Sequence, residues 1–166
     1  KAAVNMGVKQ TGAGSSYVDL AWNAQLGAGH YHTQFSQDGK NWIDMEYSSS
    51  PSDSVYNLTQ GASYYARVVA YNGSHYSGTH VMVGVSETAI VSTKPTEATG
   101  LTQTAAGVNS VSMSWNASAG AASYVIYGYI NYNWTQIGTS ATNSATITGV
   151  AATTSTKFSV AAVKNV

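Results

Sequence analysis

The sequence predicts an all-β protein built from two copies of one small sandwich, and three observations lead there. The first is self-similarity. Trp42 and Trp134 stand 92 positions apart, and Trp22 and Trp115 stand 93 apart. The stretches 57–70 (NLTQGASYYARVVA) and 149–162 (GVAATTSTKFSVAA) align at a spacing of 92, with Leu58 over Val150, Val68 over Val160 and Ala70 over Ala162. Three anchors in one order, with a single residue of slippage, mark a duplicated unit. The second observation is a period of two, the signature of half-buried antiparallel strands. The third is punctuation: Gly, Asn and Ser clusters recur at short intervals, and no long segment has helical spacing.

The elements follow in order along the first copy. After TGAGS, the stretch YVDLAW places Val18, Leu20 and Trp22 on one face and Asp19 and Ala21 on the other. LGAGH leads into a strand at HYHTQF (residues 30–35), and QDGKN turns the chain into a strand through Trp42 and Met45. TQGAS precedes YYARVVAY, where Ala66, Val68 and Ala70 alternate with Tyr65, Arg67 and Val69. A long segment after YNGS ends in what reads as a last strand. The second copy repeats the pattern with VSMSW (Val111, Met113 and Trp115 on one face), SYVIYGY, NYNWTQIG and KFSVAAV. Pro95, in STKPTEATG, sits where the copies meet and suits a short, fairly stiff linker, which sets domains of 1–94 and 95–166.

Taken together these marks resemble the fibronectin type III domain. The family has a Trp ending its second strand, matched by Trp22 and Trp115. It has a Tyr-x-hydrophobic third strand, matched by YHTQFSQDGKNW and SYVIYGY, and a Leu-x-x-x-x-x-Tyr corner, matched by Leu58 and Tyr64. The resemblance spans essentially the whole chain. It implies two immunoglobulin-like (fibronectin type III) β-sandwiches in tandem. Two departures carry consequences. Thr156 stands at the corner position of the second copy, so the phenol-to-backbone bond used there is expected to be missing. The second copy also runs out before its last strand, which leaves one seam of its core and one sheet edge open. That departure reads either as a fragment boundary or as a place for a strand supplied by another chain.

Composition narrows the function. Charged residues make up 8% of the chain, against roughly 25% in average soluble proteins. Seven basic and seven acidic side chains cancel and form no run, so the clustered positive surface of a nucleic-acid binder is absent. There is no cysteine, and no apolar run approaches the roughly 18 residues of a membrane span. The first residues do not read as a signal peptide, so the chain reads as a mature or excised fragment. Low charge with abundant Ser, Thr, Asn, Gly and Tyr points to an extracellular setting. Sequons at Asn57, Asn72, Asn116 and Asn133 matter only if the source glycosylates.

All four histidines lie in the first copy. His30 and His32 share one face of a strand, since residues two apart point the same way. With Tyr31, Thr33 and Phe35 turned inward, as the resemblance implies, both imidazoles are expected to face solvent. His75 and His80 lie in the long segment 72–86, which should share a pole with the NAQLGAG loop. Imidazoles at such spacing suit zinc, nickel or copper. Exposed histidines are also common without any role, and no carboxylate partner is evident beyond Asp19 and Glu87. No metal and no cofactor is therefore assigned. The favoured site is an interaction surface of His30, His32, Gln34, Tyr65, Arg67, Tyr71 and Tyr76, because Tyr and Arg supply large area with few rotamers.

Tyr127, Tyr129, Tyr132 and Trp134 suggest a sugar-stacking platform, but the resemblance implies that Trp42 and Trp134 pack on the sandwich edge. Neither a nucleophile–base–orienter set nor a facing pair of carboxylates emerges, so catalysis is not expected. The chain is thus expected to be a non-catalytic spacer or interaction segment of a larger secreted or surface-attached protein. The family resemblance suggests bacterial polysaccharide-degrading or cell-surface parents, and protein or glycan ligands. The absence of Arg-Gly-Asp points away from human-type matrix adhesion. The rival readings are an assembly subunit completed by another chain's strand, and a dedicated carbohydrate- or metal-binding module.

Overall fold

The computed structural model describes residues 3–150 and 156–164. Fourteen strands and one 3-10 turn make up the regular structure of these residues. The chain divides into two compact units, the first ending at Lys94 and the second beginning at Pro95.

In the first unit the strands are β1 (Lys9–Ala13), β2 (Val18–Ala21), β3 (His30–Ser36), β4 (Ile43–Ser48), β5 (Ser52–Val55), β6 (Ser63–Tyr71), β7 (Met82–Val85) and β8 (Ala89–Ser92). One sheet has the order β1-β2-β5; the other runs β4-β3-β6, with β7 and β8 both pairing with β6. All these pairings are antiparallel. The predicted alternation is what fills the space between the sheets. Val18, Leu20, Tyr31, Phe35, Ala66, Val68 and Ala70 point inward and pack with Met6, Trp22, Val55, Leu58, Tyr64 and Val91. Each large side chain so buried contributes roughly 1.5–3 kcal/mol. At the expected corner, the Thr59 backbone N–H donates to the Tyr64 hydroxyl at 2.9 Å.

The last strand departs from the sequence reading. Residues 82–85, read as part of a long loop, form β7, and the strand breaks at residues 86–88 before resuming as β8. The N-terminal segment and the Ser86 side chain make the break tolerable by satisfying its polar groups. The Val68 N–H donates to Ser86 Oγ at 2.8 Å, and the Val4 N–H donates to the Val85 carbonyl at 2.7 Å. The Glu87 carboxylate accepts the N–H groups of Met6 at 2.9 Å and Val8 at 3.3 Å.

The second unit contains β9 (Thr102–Gly107), β10 (Ser110–Ser114), β11 (Ser123–Ile130), β12 (Asn133–Ser140), β13 (Ser144–Thr148) and β14 (Phe158–Val163). Its sheets run β13-β10-β9 and β12-β11-β14, which among the described residues is the arrangement of β1 to β6 in the first unit. Val111, Met113, Trp115, Tyr124, Ile126 and Ile147 form its core. Trp22 and Trp115 are 5% and 3% exposed, so each indole lies inside its own core.

The matching strands of the two units differ in burial. Ala66, Val68 and Ala70 are fully covered, whereas their counterparts Phe158, Val160 and Ala162 are half-buried. Among the described residues β14 pairs with β11 alone. A groove of about 200 Å³ lined by Leu101, Gln103, Val111, Met113 and Phe158 lies in this unit. The repeated Asn-Trp pair also finds its explanation. Asn133 and Trp134 open β12 after a two-residue turn, with Asn131 and Tyr132 at φ 49° and 64°, the left-handed geometry of a tight hairpin. Asn41 and Trp42 lie just before β4, the matching strand of the first unit. One sheet edge was duplicated.

Candidate functional site

The alternation along β3 that sends Tyr31, Thr33 and Phe35 into the core leaves His30, His32 and Gln34 on the opposite face. The expectation that both imidazoles meet solvent is overturned, because His30 is 1% exposed and His32 is half-buried. Residues 72–81 fold back over this face and cover it. The Asn72 N–H donates to the Val81 carbonyl at 3.0 Å, and the Val81 N–H donates to Asn72 Oδ1 at 2.7 Å, which closes the loop at its base. A 3-10 turn (His75–Ser77) is capped by Ser74, whose Oγ accepts the Tyr76 N–H at 3.3 Å. Gly29 allows the close approach: its N–H donates to the Tyr71 carbonyl at 2.7 Å, and a Cβ there would collide with the Gly73 carbonyl oxygen.

The loop carries His75 and His80 onto the strand, so all four histidines meet. The His30 ring lies 5.4 Å from His32, 5.5 Å from His75 and 5.1 Å from His80, centroid to centroid. Tyr71, opposite His30 in the ladder, stacks on it at 5.3 Å with an interplanar angle of 12°. Tyr47, opposite His32, stacks on His75 at 4.2 Å. His30 Nδ1 lies 3.0 Å from the Gly73 carbonyl, and His32 Nε2 lies 3.2 Å from His75 Nδ1. His30 Nε2 and His80 Nδ1 are buried without a hydrogen-bond partner.

Burial pushes the His32 pKa below its ordinary value; the Asp44 charge opposes this and the three neighbouring imidazoles add to it. Asp44 is also the carboxylate whose charge reaches Tyr71 and Arg67. The carboxylates suggested by the sequence are elsewhere. Asp19 accepts from the Ser54 hydroxyl at 2.7 Å on the other sheet, and Glu87 is occupied by Met6 and Val8.

The predicted interaction surface is therefore split. His30 is covered, and Tyr71 is half-buried against it. Arg67 is tied down: its Nε donates to Gln34 Oε1 at 2.7 Å, Gln34 Nε2 donates to Asp44 Oδ1 at 2.7 Å, and the guanidinium lies 4.0 Å over the Trp42 ring. Trp42 thus packs, as the resemblance implied. Tyr65 at 38% and Tyr76 at 81% exposure remain open, and Tyr47 at 38% joins them. Tyr47 and Asp44 were not singled out in the sequence. Both lie on β4 opposite β3, but a register shift between Thr33 and Gln34 separates their ladder positions, and alternation alone does not place it.

Two other regions offer surface to a ligand. A groove of about 520 Å³ lined by Phe35, Ile43, Met45, Leu58 and Tyr64 lies at the other end of β3, away from the imidazoles. In the second unit Trp134 is 51% exposed beside Tyr129, with ring centroids 5.3 Å apart, so the expected packing of Trp134 is corrected. The reason is that β12 lies at a sheet edge, paired with β11 alone among the described residues.

No family model matches the chain. It is 33% identical over 162 residues to Chitinase A1 of Niallia circulans, a match that covers 93% of this chain and 22% of that protein. The chain therefore spans about a fifth of the length of this curated relative. The FN1–FN3 domains of chicken CNTN1 superpose with a TM-score of 0.53 at 15% identity, over 98% of this chain and 62% of that one. A segment of two fibronectin type III domains from chicken tenascin has a TM-score of 0.45 at 15% identity, over 95% of this chain and 90% of that one.

Proposed function

We propose that this chain, two domains of the fibronectin type III fold in series, is a non-catalytic spacer and interaction segment of a larger extracellular, polysaccharide-processing protein. The observation that carries this reading is the match to Chitinase A1 along 93% of this chain but only 22% of the relative. A stretch that small, folded as ready-made sandwiches, fits an accessory part better than a chemical centre. Low charge suits an exported chain. The exposed rings of Tyr47, Tyr65 and Tyr76 offer contact area for a protein or glycan partner.

The test replaces this segment, within the full-length protein that carries it, by a flexible Gly/Ser linker of equal residue count. Activity on solid polysaccharide is expected to fall while activity on soluble oligosaccharide stays within about twofold, since a flexible coil has a broad end-to-end distribution. Equal loss on both substrates, or turnover by the isolated segment, would defeat the proposal.

A second reading has an observation of its own. The half-buried row Phe158, Val160 and Ala162, beside a β14 edge with no strand along it among the described residues, suits completion by a strand of another chain. Light scattering separates the two readings: a monodisperse monomer at all concentrations speaks for the spacer alone.

A further inference from the structure

We propose that His30, His32 and His75 form a binding site for one borderline divalent cation, of the zinc or copper class, with His80 as a neighbouring fourth imidazole. One ligand nitrogen from each of the three lies within 4.8 Å of the others. Two of these nitrogens, His32 Nε2 and His75 Nδ1, are 3.2 Å apart. Two imidazole nitrogens bound at 2.0–2.1 Å to a tetrahedral centre are separated by about 3.3 Å, so the spacing already matches a shared ion.

The tautomer of His30 points the same way. Its Nδ1 faces the Gly73 carbonyl at 3.0 Å, and a carbonyl can only accept, so Nδ1 carries the hydrogen and donates. In the neutral ring that leaves a lone pair on Nε2, which is buried in a residue 1% exposed and meets no donor. An unanswered acceptor in such a position is costly, and a cation supplies what is missing. A backbone carbonyl holding the distal N–H of a ligating imidazole is the usual support of a metal-bound histidine. His80 Nδ1 is likewise buried and unpartnered.

The donor set decides the class of ion. It consists of imidazoles, with no cysteine anywhere in the chain and with Asp44 acting on His32 through its charge. Calcium and magnesium require oxygen ligands and are disfavoured; zinc, copper and nickel accept neutral imidazole. The ion would link β3 to the 72–81 loop, which the Gly29–Gly73 approach already holds against the strand.

The test uses the whole chain, stripped with EDTA and titrated with ZnCl2, CuCl2 and, as a control, CaCl2. Calorimetry is expected to give one zinc or copper per chain and thermal scans a raised midpoint, with no response to calcium. Cu2+ electron paramagnetic resonance is expected to show nitrogen ligation. His32→Ala and His75→Ala, both at half-buried positions, should keep native tryptophan fluorescence and lose affinity by more than about tenfold, the low end of what loss of a supporting partner alone costs. The proposal is overturned if neither metal binds, if the His32→Ala/His75→Ala double variant binds unchanged, or if binding depends on His80 but on neither of these residues.

Discussion

The indole of Trp115 meets the ring of Tyr124 edge-on, with centroids 5.3 Å apart and planes at 68°. Trp22 and Tyr31 repeat the arrangement at 5.4 Å and 68°. Each tyrosine also closes the loop before its strand: the Ser118 N–H donates to the Tyr124 hydroxyl at 2.9 Å, and the Gln25 N–H donates to the Tyr31 hydroxyl at 3.1 Å. Tyr124→Phe keeps the ring and removes the acceptor of a buried N–H. It should cost about 1–3 kcal/mol of unfolding free energy in denaturant titrations. Tyr31→Phe should cost less, because the Gln25 N–H is only partly buried and water can replace the lost acceptor. Trp115→Ala should cost about 3–5 kcal/mol, since it also leaves a cavity.

Gly29→Ala tests whether residues 72–81 are held on the strand by close backbone approach. The added methyl collides with the backbone carbonyl of Gly73, which cannot rotate away as a side chain would. The loop is expected to lift, at a cost of about 1–3 kcal/mol. Hydrogen exchange at residues 72–81 should rise, while the β2 and β5 amides stay protected. Unchanged exchange in the loop would show that the approach is dispensable.

Acid stability should depend in part on Glu87. Burial alone would raise its pKa, but the backbone N–H groups of Met6 and Val8, among others, outweigh it and hold the carboxyl below its ordinary value of 4.5. The folded state then binds fewer protons than the unfolded one between the two pKa values. The stabilisation is present above the ordinary value and is lost as pH falls through the lower, folded value. In pH-dependent thermal scans, Glu87→Gln should lower the midpoint at neutral pH and flatten its decline on the acid side. An unaltered acid profile would remove Glu87 from this role.

The second reading places any association of the chain at the β14 edge. Ala161 lies on this strand, paired with Val125 on one side and exposed. A charged residue there discourages strand addition. Any rise of particle mass with concentration in light scattering should be abolished in Ala161→Lys, with the thermal midpoint little changed; a rise that persists in this variant would place the contact elsewhere.

Much of the fold was legible from side-chain pattern. The spacing of Trp22 to Trp115, the inward set Tyr31, Thr33 and Phe35, and the Leu58–Tyr64 corner all report on local alternation or duplication, which sequence encodes directly. The site was legible only in membership. The meeting of His75 and His80 with His30 and His32 follows from loop ends that share a pole, whereas the burial of His30 and the places of Tyr47 and Asp44 do not. These depend on a loop folding back and on a one-residue register shift, neither of which has a short-range signature.

By itself, then, the sequence determined two repeated β units and their inward faces, because a period of two and a repeat of about ninety residues are properties of the chain order. Tertiary structure alone decided that a face expected to be wet is covered, that Arg67 is locked through Gln34 and Trp42, and that Trp134 stands open. Burial is set by what packs on the far side of a strand, and for β3 the covering residues arrive from more than forty positions further along the chain.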